Sequence, residues 1–369
     1  MTGNSAARPV VVVIGGGYAG SNVARQLDDI ADVVLVEPKD AFVHNIAALR
    51  ALADPSWLQH IYLPYDRLLA SGRVVRDRAA KVEPGRVTLA SGEEIDADYI
   101  VLATGSSYPF PAKSDVDDTA VAHERVRAAH AALHAAGRVL LVGAGPVGIE
   151  LAGEIKAAWP GKQVTLLDAA DDILGARFRD DLKAELRRQL AALGVELVLG
   201  SPLTAEPPTE PGQPGEFTVT TESGAAITAQ VWFRCYGVTP VSDYLAGALA
   251  AARDSGGFVT VSPFLQVAGQ DRVFALGDVS GADHKMAGAA GRQAPVVAGN
   301  IRALIEGTPL AAYEATPPSI LVPIGPAGGA GQLAGADELI AAELVSELKG
   351  RDLMVDRFAE MFGGSGASR

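Results

Sequence analysis

One short pattern occurs twice in this chain, and nothing else in it restricts the fold so tightly. Val10 to Ile14 is an unbroken β-branched run, which suits a central parallel strand covered on both faces. Gly15, Gly17 and Gly20 follow at G-x-G-x-x-G spacing. A helical stretch, Ala19 to Leu27, and a second strand, Val33 to Val36, then lead to Glu37. About 128 residues further on, the strand Arg138 to Val142 runs into Gly143, Gly145 and Gly148. A helix from Ile149 to Ala158 and a strand from Val164 to Leu167 lead to Asp168. In such a βαβ unit the first glycine permits a tight turn, and the second lets a pyrophosphate approach the backbone. The third lets helix and strand pack closely. The helix N-terminus stabilises the phosphate charge, and the acid accepts from ribose hydroxyls. The chain is therefore expected to be α/β, with two Rossmann-like dinucleotide-binding domains.

Two dinucleotide sites constrain the chemistry. A nicotinamide nucleotide in both would leave no redox partner. FAD in the first and NAD(P)H in the second is a coherent pair, because hydride passes from nicotinamide C4 to flavin N5. Asp168 repels a 2′-phosphate and accepts from a free 2′-hydroxyl, which favours NADH over NADPH. Arg177 and Arg179 lie close by and read as solvated helix charges.

Between the two copies, residues 74–99 alternate apolar and polar positions with turn signals at Pro84-Gly85 and Ser91-Gly92, as in an antiparallel meander. Tyr99 to Ala103 reads as a further buried strand. After the second copy, Leu182, Leu186, Leu190 and Leu193 stripe one helix face, with Gly194 as its cap. A helix is expected from about Ala287 to Ile305, and the last 30 residues read as helical.

The composition narrows the partners. With a net charge of −13, the chain is repelled by nucleic-acid phosphates and by an anionic membrane surface. No apolar run is long enough for a transmembrane helix. The start lacks a signal-peptide pattern and lacks Gly at position 2, so secretion and N-myristoylation are not expected, and a cytoplasmic location is. Cys235 is the single cysteine, which removes any intramolecular disulfide and any CxxC zinc pattern. It falls in an expected buried strand, Val231 to Tyr236, as a small apolar residue.

Asp271-Arg272-Val273-Phe274-Ala275-Leu276-Gly277-Asp278 resembles the segment of two-dinucleotide flavoprotein reductases whose Asp binds the FAD ribityl chain. Val101-Leu102-Ala103-Thr104-Gly105 resembles the same superfamily's crossover segment. The fold this implies is glutathione-reductase-like. Closer matches point to one branch: Asp40 to Ala51, Leu102 to Ser106 through Pro109-Phe110-Pro111, Gly148 to Lys156, Lys285-Met286-Ala287, and Lys349 to Leu353. These resemble the ferroptosis suppressor and apoptosis-inducing-factor-like flavoproteins, relatives of type II NADH dehydrogenases whose members reduce quinones with NAD(P)H.

That resemblance implies site residues. Gly277, Asp278, Thr104, Gly105, Lys39 and Met286 would serve the FAD side beside Gly15, Gly17, Gly20 and Glu37. Gly143, Gly145, Gly148 and Asp168 would hold the nicotinamide nucleotide. Glu150 would approach the nicotinamide and flavin. His44, in a loop that lines the flavin by resemblance, would deliver protons to the acceptor, and Lys285 would lie close to the isoalloxazine. Gln293-Ala294 resembles the quinone-site Gln-Ala of type II NADH dehydrogenases.

The implied domains are an FAD-binding domain from residues 8–112 and 238–300, an NAD(P)H-binding domain at 113–237, and a C-terminal region at 301–369. Leu353, Met354, Phe358, Met361 and Phe362 sit at helical spacing near the end. They suit either an interfacial helix that touches a membrane or a helix packed on its own core. Asp352, Asp356 and Glu360 favour the second. The expected activity is transfer of hydride from NADH to FAD and then of two electrons to a quinone. The alternatives are reduction of a ferredoxin or rubredoxin, or redox signalling. The oligomeric state stays open.

Overall fold

A computed structural model describes residues 8–363. The chain divides into two compact units. The first comprises residues up to Phe42, Pro64–Ser107 and Val238–Ala315, and the second comprises Val43–Leu63, Tyr108–Gly237 and the residues from Thr316.

The first unit is built on a parallel sheet. Its strands lie in the order Val273–Ala275, Tyr99–Leu102, Val10–Ile14, Asp32–Val36, Arg73–Val75. Val11, Val12 and Val13 have no exposure, as a β-branched run in the middle of a covered sheet requires. The helix Tyr18–Leu27 returns from the first strand to the second and buries Val23, Ala24 and Leu27. The expected meander is present as Ala79–Glu83, Arg86–Leu89 and Glu94–Asp96. Arg73–Val75 instead joins the edge of the parallel sheet. The helix Ala287–Glu306 packs along Tyr18–Leu27 and ends at Gly307 in the left-handed region.

The second unit repeats the plan. Its parallel strands run Val195–Val198, Gln163–Leu167, Arg138–Val142, Val231–Arg234. The glycine-loop helix spans Pro146–Ala158 and begins before the expected Ile149, because proline at the first helical position has a preset φ and no N–H to leave unpaired. The striped helix spans Asp180–Ala192 and buries Leu182, Leu186 and Leu190. Of the last 30 residues, read as helical, 340–363 are described and carry helical turns, and 364–369 lie outside the described residues. A hairpin, Ile320–Ile324 with Gly328–Gln332, comes before them. It lies so close to the Pro146–Ala158 helix that a Cβ on Gly153 would stand 2.4 Å from the Gly325 nitrogen. A short helix, Ala342–Val345, then a π-helical turn, Ser346–Gly350, and a last helix, Val355–Met361, follow. Leu353, Val355, Ala359 and Phe362 are buried, and the Phe358 ring rests on that of His44 with centroids 4.6 Å apart. Among the described residues no helix is long and apolar enough to cross a membrane.

Candidate functional site: two nucleotide cradles

The two glycine loops have the same construction. Gly15 and Gly143 turn through positive φ, +100° and +111°, with backbone packed where a Cβ would stand: Ala103 O at 2.5 Å and Cys235 O at 2.7 Å. Gly20 and Gly148 let the helix press on the loop, since a Cβ on either would meet the first glycine's carbonyl oxygen at 1.8 and 2.0 Å. These four glycines are demanded by the protein's own packing. Gly17 and Gly145 are not. Each has an ordinary φ of −74°, and a Cβ on either would meet no protein atom within 4 Å. Each is the N-cap of its helix, without a side-chain cap and without an acid in the first turn. A glycine that neither conformation nor packing needs, at the positive end of a helix, fits a pyrophosphate approaching the backbone.

The acids sit alike as well. Glu37 Oε2 accepts from the Gly16 amide at 2.6 Å, and Oε1 accepts from the Lys39 amide at 3.0 Å. Asp168 Oδ2 accepts from the Ala144 amide at 2.6 Å, and Oδ1 accepts from the Ala170 amide at 2.9 Å. Each carboxylate is thereby fixed over its loop with acceptor capacity left for a ribose diol. Tyr65, whose hydroxyl donates to Gly16 O at 2.9 Å, braces the first loop, and burial pushes its phenol well above the ordinary range.

In the first unit, Thr104 Oγ1 donates to Val241 O at 2.6 Å, and Gly105 takes a φ of +67°. Asp278 lies in the short helix Gly277–Val279 and accepts from Ser106 Oγ at 2.7 Å. The fully buried Gln293 fixes that turn by accepting the Gly277 amide at 2.7 Å, and its neighbour Ala294 is buried too. Lys285 donates to the Ser280 and Asp283 carbonyls and stands 4.4 Å from the centre of the Phe258 ring. Met286 is the N-cap of the long helix that follows.

In the second unit, Glu150 projects from the Pro146–Ala158 helix and accepts from Lys349 Nζ at 2.8 Å. Burial pushes its carboxyl up, and Lys349 opposes that rise. His44 has no exposure. Its Nε2 lies 2.7 Å from Leu353 O, so that nitrogen carries the proton, and burial lowers the imidazole to about 4. Cys235 is buried, and its thiol is pushed up to about 12 by that burial. Arg179 donates to Asp181 and to the carbonyls of Ala336 and Asp337, so it braces the C-terminal region rather than standing as a solvated charge.

Sequence reasoning did not single out Arg50 or Glu154 as site residues. Both are buried, and they form a two-pronged ion pair at 2.6 and 2.8 Å. The available signal was a charge inside an apolar helical run, Ala47-Ala48-Leu49-Arg50-Ala51-Leu52 and Leu151-Ala152-Gly153-Glu154-Ile155. Such a charge goes unsolvated unless it is paired.

The sequence profile of the pyridine nucleotide-disulphide oxidoreductase family matches residues 9–298, which span both cradles and the Gly277-Asp278 turn. The chain belongs to this family. Among curated relatives it is 32% identical to ferroptosis suppressor protein 1 of Taeniopygia guttata, with 94% of each chain covered. It is 28% identical to apoptosis-inducing factor homolog B of Dictyostelium discoideum over 94% of this chain and 95% of that one. These place it in the branch its motifs resemble. Among solved structures, the sulfide:quinone oxidoreductase of Aquifex aeolicus superposes with a TM-score of 0.76 at 18% identity, over 98% of this chain and 93% of that one. The water-forming NADH oxidase of Lactobacillus brevis superposes at 0.67, with 20% identity, over 85% of this chain and 72% of that one. The expected FAD/NAD(P) fold is borne out, and the protein is an FAD-dependent NAD(P)H oxidoreductase.

Proposed function

We propose that this member of the family is an NADH:quinone oxidoreductase. The observation that carries the reading is the pairing of two nucleotide cradles with a single, inert cysteine. When bound, FAD supplies the chemistry of accepting an electron pair as hydride and releasing it to a second substrate. Disulphide reductases relay those electrons through a cysteine pair, and Cys235 alone cannot. The acceptor must therefore come to the flavin itself, which suits a small, flat, oxidised molecule such as a quinone. The acidic chain is a poor docking partner for an acidic ferredoxin.

The roles of individual residues follow this reading. Gly17 and Gly145 admit the two pyrophosphates, and Glu37 and Asp168 hold the riboses, Asp168 selecting NADH. Ser106 orients Asp278 toward the FAD ribityl chain, and Thr104, Gly105 and Met286 shape that side. Lys39 and Lys285 serve the FAD side as cations. Glu150, on the helix that holds the nicotinamide nucleotide, and Lys349, in the Ser346–Gly350 turn, form a half-buried ion pair. Glu150 Oε1 receives the Lys349 proton in a hydrogen bond, so the pair can hold or yield a proton there. His44, neutral at physiological pH, keeps its Nε2 proton on Leu353 O, so any proton it exchanges with substrate passes through Nδ1.

Anaerobic stopped-flow spectroscopy tests the reading. NADH is expected to bleach the flavin within the turnover time and a short-chain ubiquinone or menadione to restore it, with NADPH slower in the first step. Restoration by ferredoxin or oxygen alone would overturn the quinone assignment.

A further inference from the structure

Glu150 and Glu154 stand one turn apart on the same helix, on one face. Two carboxylates so placed repel each other unless each has its own cation. Glu150 takes Lys349, and Glu154 takes Arg50. The two cations are joined through the backbone that carries one of them. Arg50 Nη2 donates to Gly350 O at 2.7 Å, and Nη1 donates to Arg351 O at 3.1 Å, while Nε and Nη2 hold Glu154. The guanidinium stands 4.9 Å from the centre of the Trp57 ring. Arg50 is thus a rigid fork with one side on a carboxylate and the other on the two carbonyls that follow Lys349.

The segment it grips is one that would not hold this shape alone. Ser346–Gly350 is a π-helical turn, a rare conformation. Leu353 and Met354 are consecutive non-glycine residues at positive φ, 50° and 62°. Such conformations persist only where surrounding structure over-determines them. Arg50 holds Gly350 and Arg351, and His44 holds Leu353 O, beside the bonds that Ser346 Oγ donates to Pro326 O at 2.7 Å and Lys349 Nζ donates to Leu321 O at 3.1 Å.

We infer that Arg50 is a positioning residue: by bridging Glu154 to the Gly350 and Arg351 carbonyls, it sets Lys349 against Glu150 for hydride transfer. This rests on the reading that Glu150 serves the nicotinamide. Lysine in its place would keep the charge but could not span a carboxylate and two carbonyls at once.

The test pairs a structural readout with a kinetic one on the full chain. Arg50→Lys and Glu154→Gln are prepared, the second in case the first disturbs folding, together with Lys349→Met and the Arg50→Lys/Lys349→Met double variant. Hydrogen exchange followed by mass spectrometry on the flavin-free protein is expected to show faster exchange across residues 346–354 in Arg50→Lys and Glu154→Gln, with the two parallel sheets unchanged. Flavin reduction by NADH in the holoenzyme should slow by about tenfold or more in each. The double variant should be no slower than Lys349→Met alone, because Arg50 acts through Lys349. Unchanged exchange over 346–354, or additive losses in the double variant, would overturn the inference. If Lys349→Met slows reduction and Arg50→Lys does not, the inference fails while the reading of Glu150 stands. If exchange rises in Arg50→Lys but neither it nor Lys349→Met changes reduction, the reading of Glu150 falls, and the inference falls with it.

Discussion

His44 shows how much one buried side chain determines. Its ring has no exposure, and burial is the largest cause of its depressed pKa, outweighing the Leu353 carbonyl and the Asp352 charge that favour the cation. A histidine at about 4 when folded and near 6.5 when unfolded binds its proton mainly in the unfolded chain between those values. Its contribution to stability is complete above pH 6.5 and is lost as pH falls toward 4, a loss on the order of 3 kcal/mol. Glutamine at position 44 can still donate to Leu353 O but cannot titrate. Urea midpoints for His44→Gln are expected to vary less between pH 6.5 and 4 than those of the unaltered protein. Equal slopes would show that the acid sensitivity arises elsewhere. Asp168 invites a second substitution. Its carboxylate is held in place by two backbone amides. Asp168→Ser should weaken NADH binding by about tenfold or more while leaving NADPH much less affected, because a neutral site no longer repels the 2′-phosphate. Steady-state KM values for the two nucleotides decide this.

At the scale of the element, the glycine loops separate what the fold needs from what the ligand needs. Gly20→Ala would drive a Cβ into the Gly15 carbonyl at 1.8 Å, and Gly148→Ala would do the same at Gly143. Both should destabilise the flavin-free protein, by about 1–3 kcal/mol as overpacking does. Gly17→Ala and Gly145→Ala meet open space and an allowed φ, so thermal unfolding of the flavin-free chain should hardly change. Gly17→Ala should impair FAD retention, and Gly145→Ala should impair NADH binding, each by about tenfold or more as the methyl displaces a phosphate from the helix N-terminus. If both alanine variants bind normally, neither loop holds a pyrophosphate. These loops were legible because their pattern is local: strand, turn and helix lie within about 22 residues of sequence. The C-terminal hairpin was not. Gly328-Gly329-Ala330-Gly331 carries no β-branched signal, and the strand exists because small residues let backbone lie against backbone. The π-helical turn and the Arg50–Glu154 pair were equally hidden. Their partners lie about 104 and 300 residues away in sequence, and only the folded chain brings them together.

For the whole molecule, the decisive fact is a mismatch between the family's name and this chain's chemistry. A pyridine nucleotide-disulphide oxidoreductase with one cysteine cannot form an intramolecular disulphide. That residue is buried in the second unit, where burial favours the thiol over the thiolate, and its carbonyl packs against Gly143. A relay enzyme stores one electron pair on its flavin and a second on its cysteine pair. This protein has only the first store. Anaerobic titration with dithionite should therefore reach its endpoint after a single electron pair per flavin, without the long-wavelength band of a thiolate–flavin charge-transfer complex. Cys235→Ala should behave identically in that titration and keep turnover with a quinone within about twofold, at a stability cost of about 1 kcal/mol for the small cavity. Consumption of a second pair, or loss of turnover in Cys235→Ala, would mean that electrons do pass through the thiol and that the direct handover from flavin to acceptor is wrong. The same titration run with NADH in place of dithionite then links the two cradles. One NADH should bleach one flavin in the unaltered protein, whereas Gly145→Ala should need a large excess of nucleotide to reach the same endpoint that dithionite still reaches at once.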